Sequence, residues 1–512
     1  MSRDRREMLS CGRRLIVIGR IVFCLAIFSC ANGEVVAQDP LELLENSMVS
    51  VVEAVEPSVV SIARIPLENV GRMSNMGIGV DPGNPQSPDF VPNDFGAGVL
   101  IQTDNPKHPL LILTNQHVVS GGPIHGVDNG NHSSGLYIWI QKLPPFQARI
   151  LASDPHSDLA VLTVDRRITT ATKLKGLKVE AVDNFRKGSF VFAFGNPYAA
   201  ARDGSPTVGF GIISNVARAP SPQDVTFETR LRRDTLHHFG TLLQISSRLQ
   251  LGTSGGALLD RKGRLIGITT AMAAIDGYEQ SAGYAIPFSA GITRIIDQLV
   301  QGHEVEYGFL GVSPGNATAM NMQGLQGGRH LAGAAVIQDV IRNSPAETDG
   351  LRPNDVVLSV NGVMVSNQYD LMREIALNGP WYAEAKNVAR MKVWRRPEGQ
   401  VSVNVRPGKW PVRSVGVSTS PRFPKWRGIT VDFSTARSKY MSMTRNTALH
   451  QAVLVTGVDE EDKHEIQQGD FISSVNDQAV TTPSAFHAAI RKARGESVTL
   501  TLVDGRRVQI DR

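Results

Sequence analysis

Between Pro57 and about Val300 the chain alternates short, β-branched apolar runs with clusters of Gly, Pro, Asn and Asp. SVVSIARI, GAGVLIQ, LLILTNQHVV, LYIWIQKL, LAVLTV, SFVFAFG, GFGIISNVA and RLIGITTAM each read as a strand. Their regular spacing between turn signals predicts an all-β sandwich or barrel. The period then changes. In SAGITRIIDQLVQG, Ile292, Ile295, Ile296 and Leu299 share one helical face, and Gly302 suits the helix end. This helix closes a first domain, residues 38–302. Two stretches interrupt the strands: Leu67–Asn93, rich in Gly, Pro, Asn and Met, and Ala219–Gly240, with Arg230, Arg232, Arg233, His237 and His238. The first reads as a long loop, the second as a solvated basic face.

The C-terminal part repeats itself. LRPNDVVLSVNGVMV (Leu351–Val365) lines up with IQQGDFISSVNDQAV (Ile466–Val480), pairing Asp355 with Asp470, Val360 with Val475 and Asn361 with Asn476. A short helix follows each copy, through Leu371 and Ile375 in one and Phe486 and Ile490 in the other. Thr482 and Pro483 fit an N-cap and first turn. Two copies of a unit of about a hundred residues imply two domains, 308–407 and 413–512, rather than a solenoid.

The first 37 residues differ from the rest. Arg3, Arg5, Arg6, Arg13, Arg14 and Arg20 precede the apolar run IVFCLAIFSCA, which is short for a membrane span and suits a signal peptide. Val35–Ala37 fits a cleavage site, with an uncleaved anchor or a lipid-modified Cys30 as alternatives. Of the chain's net charge of +5, this segment carries +3, six arginines against Asp4, Glu7 and Glu34. The remaining +2 gives no footing for nucleic-acid binding. All three cysteines, Cys11, Cys24 and Cys30, also lie there. The processed chain therefore has neither a disulfide nor a zinc–thiolate site, and no later run is long enough to span a bilayer.

GTSGG, Gly252–Gly256, places Ser254 among glycines. It satisfies both the G-x-S-x-G elbow of α/β-hydrolases and the G-x-S-G-G of chymotrypsin-like proteases. Chain order separates them. His117 follows a strand in LTNQHVVS, and Asp158 precedes one in SDPHSDLAVLTV. The order His, Asp, Ser on an all-β background favours the protease. A serine hydroxyl needs a base to take its proton, and the imidazole of His117 suits that work. Asp158 would hold the imidazole's tautomer, with Asp154 as the alternative acid. The N–H groups of Gly252 and Ser254 have the spacing of an oxyanion hole. His125, His132 and His156 read as loop residues without metal-ligand spacing. No metal or cofactor is expected.

TNQHVV, DPHSDLAVL, FGNPY, GFGIISN, GTSGGALLD and GYAIPFS resemble, in order, the signature blocks of the HtrA family of trypsin-like serine proteases with PDZ domains. YGFLGV (Tyr307–Val312) and WRGITV (Trp426–Val431) resemble the PDZ carboxylate-binding loop. The resemblance implies a mostly β fold of two six-stranded, chymotrypsin-like barrels followed by two PDZ domains of β-rich α+β type. It implies catalysis by His117, Asp158 and Ser254, and peptide binding at Phe309, Leu310, Gly311, Val312, Gly428 and Ile429. It further implies ATP-independent cleavage of unfolded envelope proteins, capture of peptide C-termini, and a homotrimer or larger assembly. It places a sensor loop at Ala219–Gly240. The sequence departs from the family in two places. Thr253 stands where the family has Asn, and ISSRLQLGT (Ile245–Thr253) replaces the stretch that shapes the specificity pocket. Arg248 alters cleavage preference if it points inward and changes nothing if it snorkels outward. The rival readings are a non-hydrolytic PDZ chaperone or scaffold, and an esterase, which the strand order and the tandem domains disfavour.

Overall fold

The structure is a computed structural model that describes residues 39–66, 94–120, 134–141, 143–165, 168, 174–196, 204–218, 235–270, 283–325, 333–377, 388–412, 423–440, 448–459, 465–493 and 497–511. Residues 1–38, where the signal peptide is expected, the insert 67–93 and residues 219–234, with Arg230, Arg232 and Arg233, lie outside these, as do His125 and His132. The chain divides into two units, Met1–Val51 and Val52–Arg512. Helix α1 is Pro40–Val55. Its start has ordinary helix chemistry, because Asp39 Oδ1 accepts the Leu41 N–H at 2.9 Å and Pro40 opens the first turn.

The first barrel uses β1 (Val59–Pro66), β2 (Asp94–Gln102), β3 (Leu110–Asn115), β4 (Ser134–Trp139), β5 (Phe146–Asp154) and β6 (Leu159–Thr163). They run in the order β1-β4-β5-β6-β3-β2, and antiparallel pairing of β1 with β2 closes the ring. A short β7, Leu177–Lys178, adds parallel to β2. Val60, Ile62, Leu100, Ile112, Ile138 and Leu162 fill the interior. β3 passes directly into a short helix, α2 (Gln116–Ser120).

The second barrel uses β8 (Phe190–Gly195), β9 (Thr207–Arg218), β10 (Leu242–Ile245), β11 (Ala257–Asp260), β12 (Leu265–Thr270) and β13 (Gly283–Pro287), closed in the order β10-β13-β12-β11-β8-β9. Helix α3, Ala290–Val300, follows behind its N-cap Ser289 and buries Ile292, Ile295, Ile296 and Leu299, the face the period predicts. Two six-stranded barrels in series are the chymotrypsin-like arrangement.

Two smaller β units share one strand order. The first has β14 (Gly308–Phe309), β15 (Val312–Asn316), β16 (Ala335–Val340), α4 (Pro345–Thr348), β17 (Val356–Val360), β18 (Val363–Met364), α5 (Gln368–Leu377), β19 (Ala389–Arg395), β20 (Gly399–Val405) and β21 (Gly408–Lys409). The second has β22 (Ile429–Phe433), β23 (Val453–Val458), β24 (Phe471–Val475), β25 (Gln478–Ala479), α6 (Pro483–Lys492), β26 (Ser497–Leu502) and β27 (Arg507–Asp511). The orders β15-β16-β17-β19-β20 and β22-β23-β24-β26-β27 match, each with a short strand paired to its third member. The repeat extends to single bonds. Asp355 Oδ2 accepts the Arg352 N–H, and Asp470 Oδ2 accepts the Gln467 N–H. Asn361 and Asn476 both turn the chain at positive φ, 50° and 47°, and their side chains accept the Arg390 and Thr499 N–H groups. Asparagine suits both turns because its short amide tolerates the left-handed region.

Candidate active site

His117 sits at the start of α2, and the turn that carries Asp158 holds it there. Gln116 N–H donates to Asp158 O at 3.0 Å, and Asn115 Nδ2 donates to the same oxygen at 3.0 Å. The carboxylate of Asp158 accepts the His117 backbone N–H at 3.1 Å and lies 2.9 Å from Nδ1 through each oxygen. A ring so held keeps its proton on Nδ1 and presents Nε2 as a base. Asp158 is buried while His117 keeps a partly open face. Asp154, the alternative acid, makes a different set of bonds. It caps its own turn through Ser157 N–H at 2.9 Å and Ser157 Oγ at 2.5 Å, and it accepts Tyr307 OH.

Ser254 lies in the tight turn between β10 and β11. Its carbonyl accepts Ala97 N–H from β2 at 2.8 Å, which ties the second barrel's turn to the first barrel's wall. Gly96 stands between the two halves of the site. A Cβ there would lie 2.7 Å from the methyls of Val118, the neighbour of His117, and 3.1 Å from Ser254 O. The glycines of GTSGG have steric reasons of their own. At Gly255 (φ +85°) a Cβ would fall 2.0 Å from Ala97 O, and at Gly256 1.8 Å from Phe194 O. Gly252 is left-handed at φ +94°, with Asn196 O 2.4 Å from where a Cβ would stand. The amides of Thr253, Gly255 and Gly256 donate to the carbonyls of Gln250, Thr269 and Thr253. Thr253 ties the turn down by donating its hydroxyl to Gln250 O at 2.7 Å.

Arg248 is exposed. Its neighbour Leu249 is the residue turned inward, packed on the second barrel's core with its Cγ 2.6 Å from a Cβ built at Gly283. Among the described residues no group of three or more His, Cys, Asp or Glu could hold a metal ion, and no helix is long and apolar enough to cross a membrane.

In the first repeat Phe309 and Leu310 are buried. Gly311 turns at φ +80° with its carbonyl held by Ile341 N–H, and Val312 opens the edge strand β15. In the second, Arg427 and Gly428 are both left-handed, and Gly428 O accepts Asp459 N–H, the counterpart of the Gly311 contact. There Ile429 N–H donates back to Trp426 O at 2.9 Å, closing a two-residue turn.

Sequence reasoning passed over two residues bonded to the turn that carries Asp158. His237, read as part of a solvated basic face, is fully buried, with Nε2 2.9 Å from Ser157 O and Nδ1 2.7 Å from Thr241 Oγ1. Tyr307, seen only as the first letter of YGFLGV, is buried against His156 and Asp154. An imidazole among Leu236, Phe239 and Leu242 was the only signal of burial.

Residues 96–268 match the trypsin-like peptidase domain, and 306–381 match the PDZ domain. A probable periplasmic serine endoprotease, DegP-like, of Chlamydia trachomatis is 26% identical over 94% of this chain and 91% of its own. A probable periplasmic serine protease, do/HhoA-like, of Haemophilus influenzae is 25% identical over 71% of this chain and 73% of its own. A DegP-like relative of Brucella suis is 29% identical over 78% and 68%. Among solved structures, the HtrA-type protease AlgW with tripeptide is 23% identical, covers 71% of this chain and 97% of its own, and superposes with a TM-score of 0.48. From the domain matches and the named relatives, the chain is a serine endopeptidase, a trypsin-like peptidase domain followed by a PDZ domain.

Proposed function

We propose that the enzyme is exported to the cell envelope, the periplasm named for its relatives, and degrades unfolded polypeptides there without ATP. Ser254 Oγ bonds to the scissile carbonyl carbon as His117 Nε2 takes its proton. The carbonyl electrons move onto oxygen, and the amides of Gly252 and Ser254 receive the oxyanion. Collapse breaks the C–N bond, and the amine leaves with the proton from His117. Water then repeats the sequence to free the acid. Asp158 orients the ring and stabilises the imidazolium. The observation that carries this reading is the 2.9 Å contact of His117 Nδ1 with both oxygens of a buried Asp158.

Both repeats act as PDZ domains in this reading. Phe309–Val312 take a peptide carboxylate while the peptide adds a strand to β15. Gly428 and Ile429 do the same with fewer amides, since Ile429 N–H is committed to Trp426 O, so capture of C-termini rests first on the first repeat. The working assembly is a homotrimer or larger.

The test is Ser254→Ala. It should abolish cleavage of an unfolded protein and labelling by a fluorophosphonate while leaving thermal unfolding unchanged. Cleavage persisting in that variant ends the proposal.

A further inference from the structure

We propose that Tyr307 and His237 are positioning residues for Asp158, fastening the Asp154–Asp158 turn from outside the first barrel. The inference rests on the triad reading above. Asp158 adopts φ +53°, a left-handed conformation that a non-glycine residue keeps only when its surroundings impose it. Rotation about that φ swings the peptide that joins Ser157 to Asp158. The carbonyl of that peptide, Ser157 O, is the atom His237 Nε2 meets at 2.9 Å. A carbonyl only accepts, so Nε2 carries the proton and Thr241 Oγ1 donates to Nδ1. Burial holds His237 below its ordinary pKa against the pull of Asp158, which keeps this neutral form in place. The next peptide is pinned from the other side, since Asp158 O accepts from Gln116 N–H and Asn115 Nδ2. Both peptide planes flanking Asp158 are thus fixed, one of them by a residue that precedes β10 of the second barrel.

Tyr307 closes the opposite end of the turn. Its hydroxyl donates to Asp154 Oδ2, the oxygen that also accepts Ser157 N–H and Ser157 Oγ. Burial and the neighbouring Asp154 raise the phenol well above its ordinary pKa, so it remains a donor. Its ring packs edge-on against His156, with centroids 5.2 Å apart, and Leu236 N–H, one residue before His237, donates to His156 O at 2.9 Å. Tyr307 itself is held where the first repeat begins, its carbonyl accepting Trp410 N–H at 2.7 Å. The acid of the triad is therefore oriented by groups from three parts of the chain.

The experiment uses the full chain and reads kcat and KM on a fluorogenic peptide, together with the rate of fluorophosphonate labelling at Ser254. Tyr307→Phe, which removes one oxygen, and His237→Leu should each lower kcat and labelling by about 10- to 100-fold at unchanged KM, the range for small misplacements of a catalytic group. His237→Gln, which keeps a donor within reach of Ser157 O, should recover most of the loss. In an Asp158→Asn background, Tyr307→Phe should have no further effect on residual labelling, because Tyr307, bonded to Asp154, acts on catalysis only through the orientation of Asp158. Equal effects in the two backgrounds, or unchanged kcat in Tyr307→Phe, would overturn the inference. Should Asp158→Asn alone label as fast as the parent, the triad reading itself is what fails.

Discussion

A single methyl group is the sharpest probe of the serine turn. Gly255 and Gly188 have the same φ, +85°, but a Cβ at Gly188 meets nothing within 4 Å. Gly188→Ala therefore carries only the left-handed penalty, about 1 kcal/mol. Gly255→Ala adds a collision with Ala97 O and with Thr114 Oγ1, 2.3 Å from the new carbon. Thr114 Oγ1 itself donates to Ala97 O at 2.7 Å, so neither neighbour can retreat without breaking that bond. The expected loss is at least about 3 kcal/mol. It should appear as a large drop in Tm together with lost activity, against a small drop and full activity for Gly188→Ala. Comparable melting of the two variants would mean that the glycine is not needed for packing there.

At the scale of elements, the two repeats place the same ion pair in different surroundings. Arg395 meets Asp355 through Nε and Nη2, each at 2.7 Å, with the carboxylate 1% exposed. The counterpart is Arg506 with Asp470, at 2.6 Å, on a side chain 41% exposed. Removing Arg395 strands a buried carboxylate, so Arg395→Ala should destabilise the first repeat by about 3 kcal/mol. Arg506→Ala should move the unfolding of the second repeat much less, because solvent can replace the lost cation. Equal shifts in thermal unfolding would refute the distinction.

Much of this architecture was legible at the same scale. Strand runs with turn signals became the two barrels, the apolar face of α3 was read residue by residue, and Thr482 caps α6 by accepting Ala485 N–H at 3.1 Å. The pairing of Asn361 with Asn476 anticipated two turns of one geometry. Helix α1 escaped notice although Asp39 and Pro40 mark its start, because it follows directly on a segment read as a leader. Chain order nominated His117, Asp158 and Ser254, but it left Asp154 open beside Asp158, since four residues decide which carboxylate reaches the ring. Tyr307 and His237 were illegible for a deeper reason. Their partners lie 153 and 80 residues away, and no local period reports so distant a bond.

Across the whole of Val52–Arg512, one buried charge cluster joins three parts of the fold. Lys409, at the end of the first repeat and 2% exposed, reaches Asp432 of the second repeat at 2.7 Å and Glu304, beyond α3, at 3.0 Å. Arg437 clamps Glu304 with two bonds of 2.8 and 2.9 Å. Burial alone would push the Glu304 carboxyl up, but Lys409 and Arg437 override it and lower its pKa to about 2, from an ordinary 4.5. A depressed carboxylate stabilises the folded arrangement fully above its unfolded pKa and loses that contribution as pH falls toward its folded one. The junction should therefore hold down to about pH 4.5 and loosen between there and about pH 2. Added salt should have little effect at neutral pH, because the pairs are shielded from counterions. Small-angle scattering would read this as a radius of gyration that is constant from neutral pH to about 4.5 and grows below it. Glu304→Gln should bring the expanded form to neutral pH, since it removes the one carboxylate bonded to both Lys409 and Arg437 at 3.0 Å or less and leaves those two buried cations to Asp432 and Glu306. A Glu304→Gln chain as compact as its parent at neutral pH would show that apolar packing, and not this cluster, sets how the repeats are held.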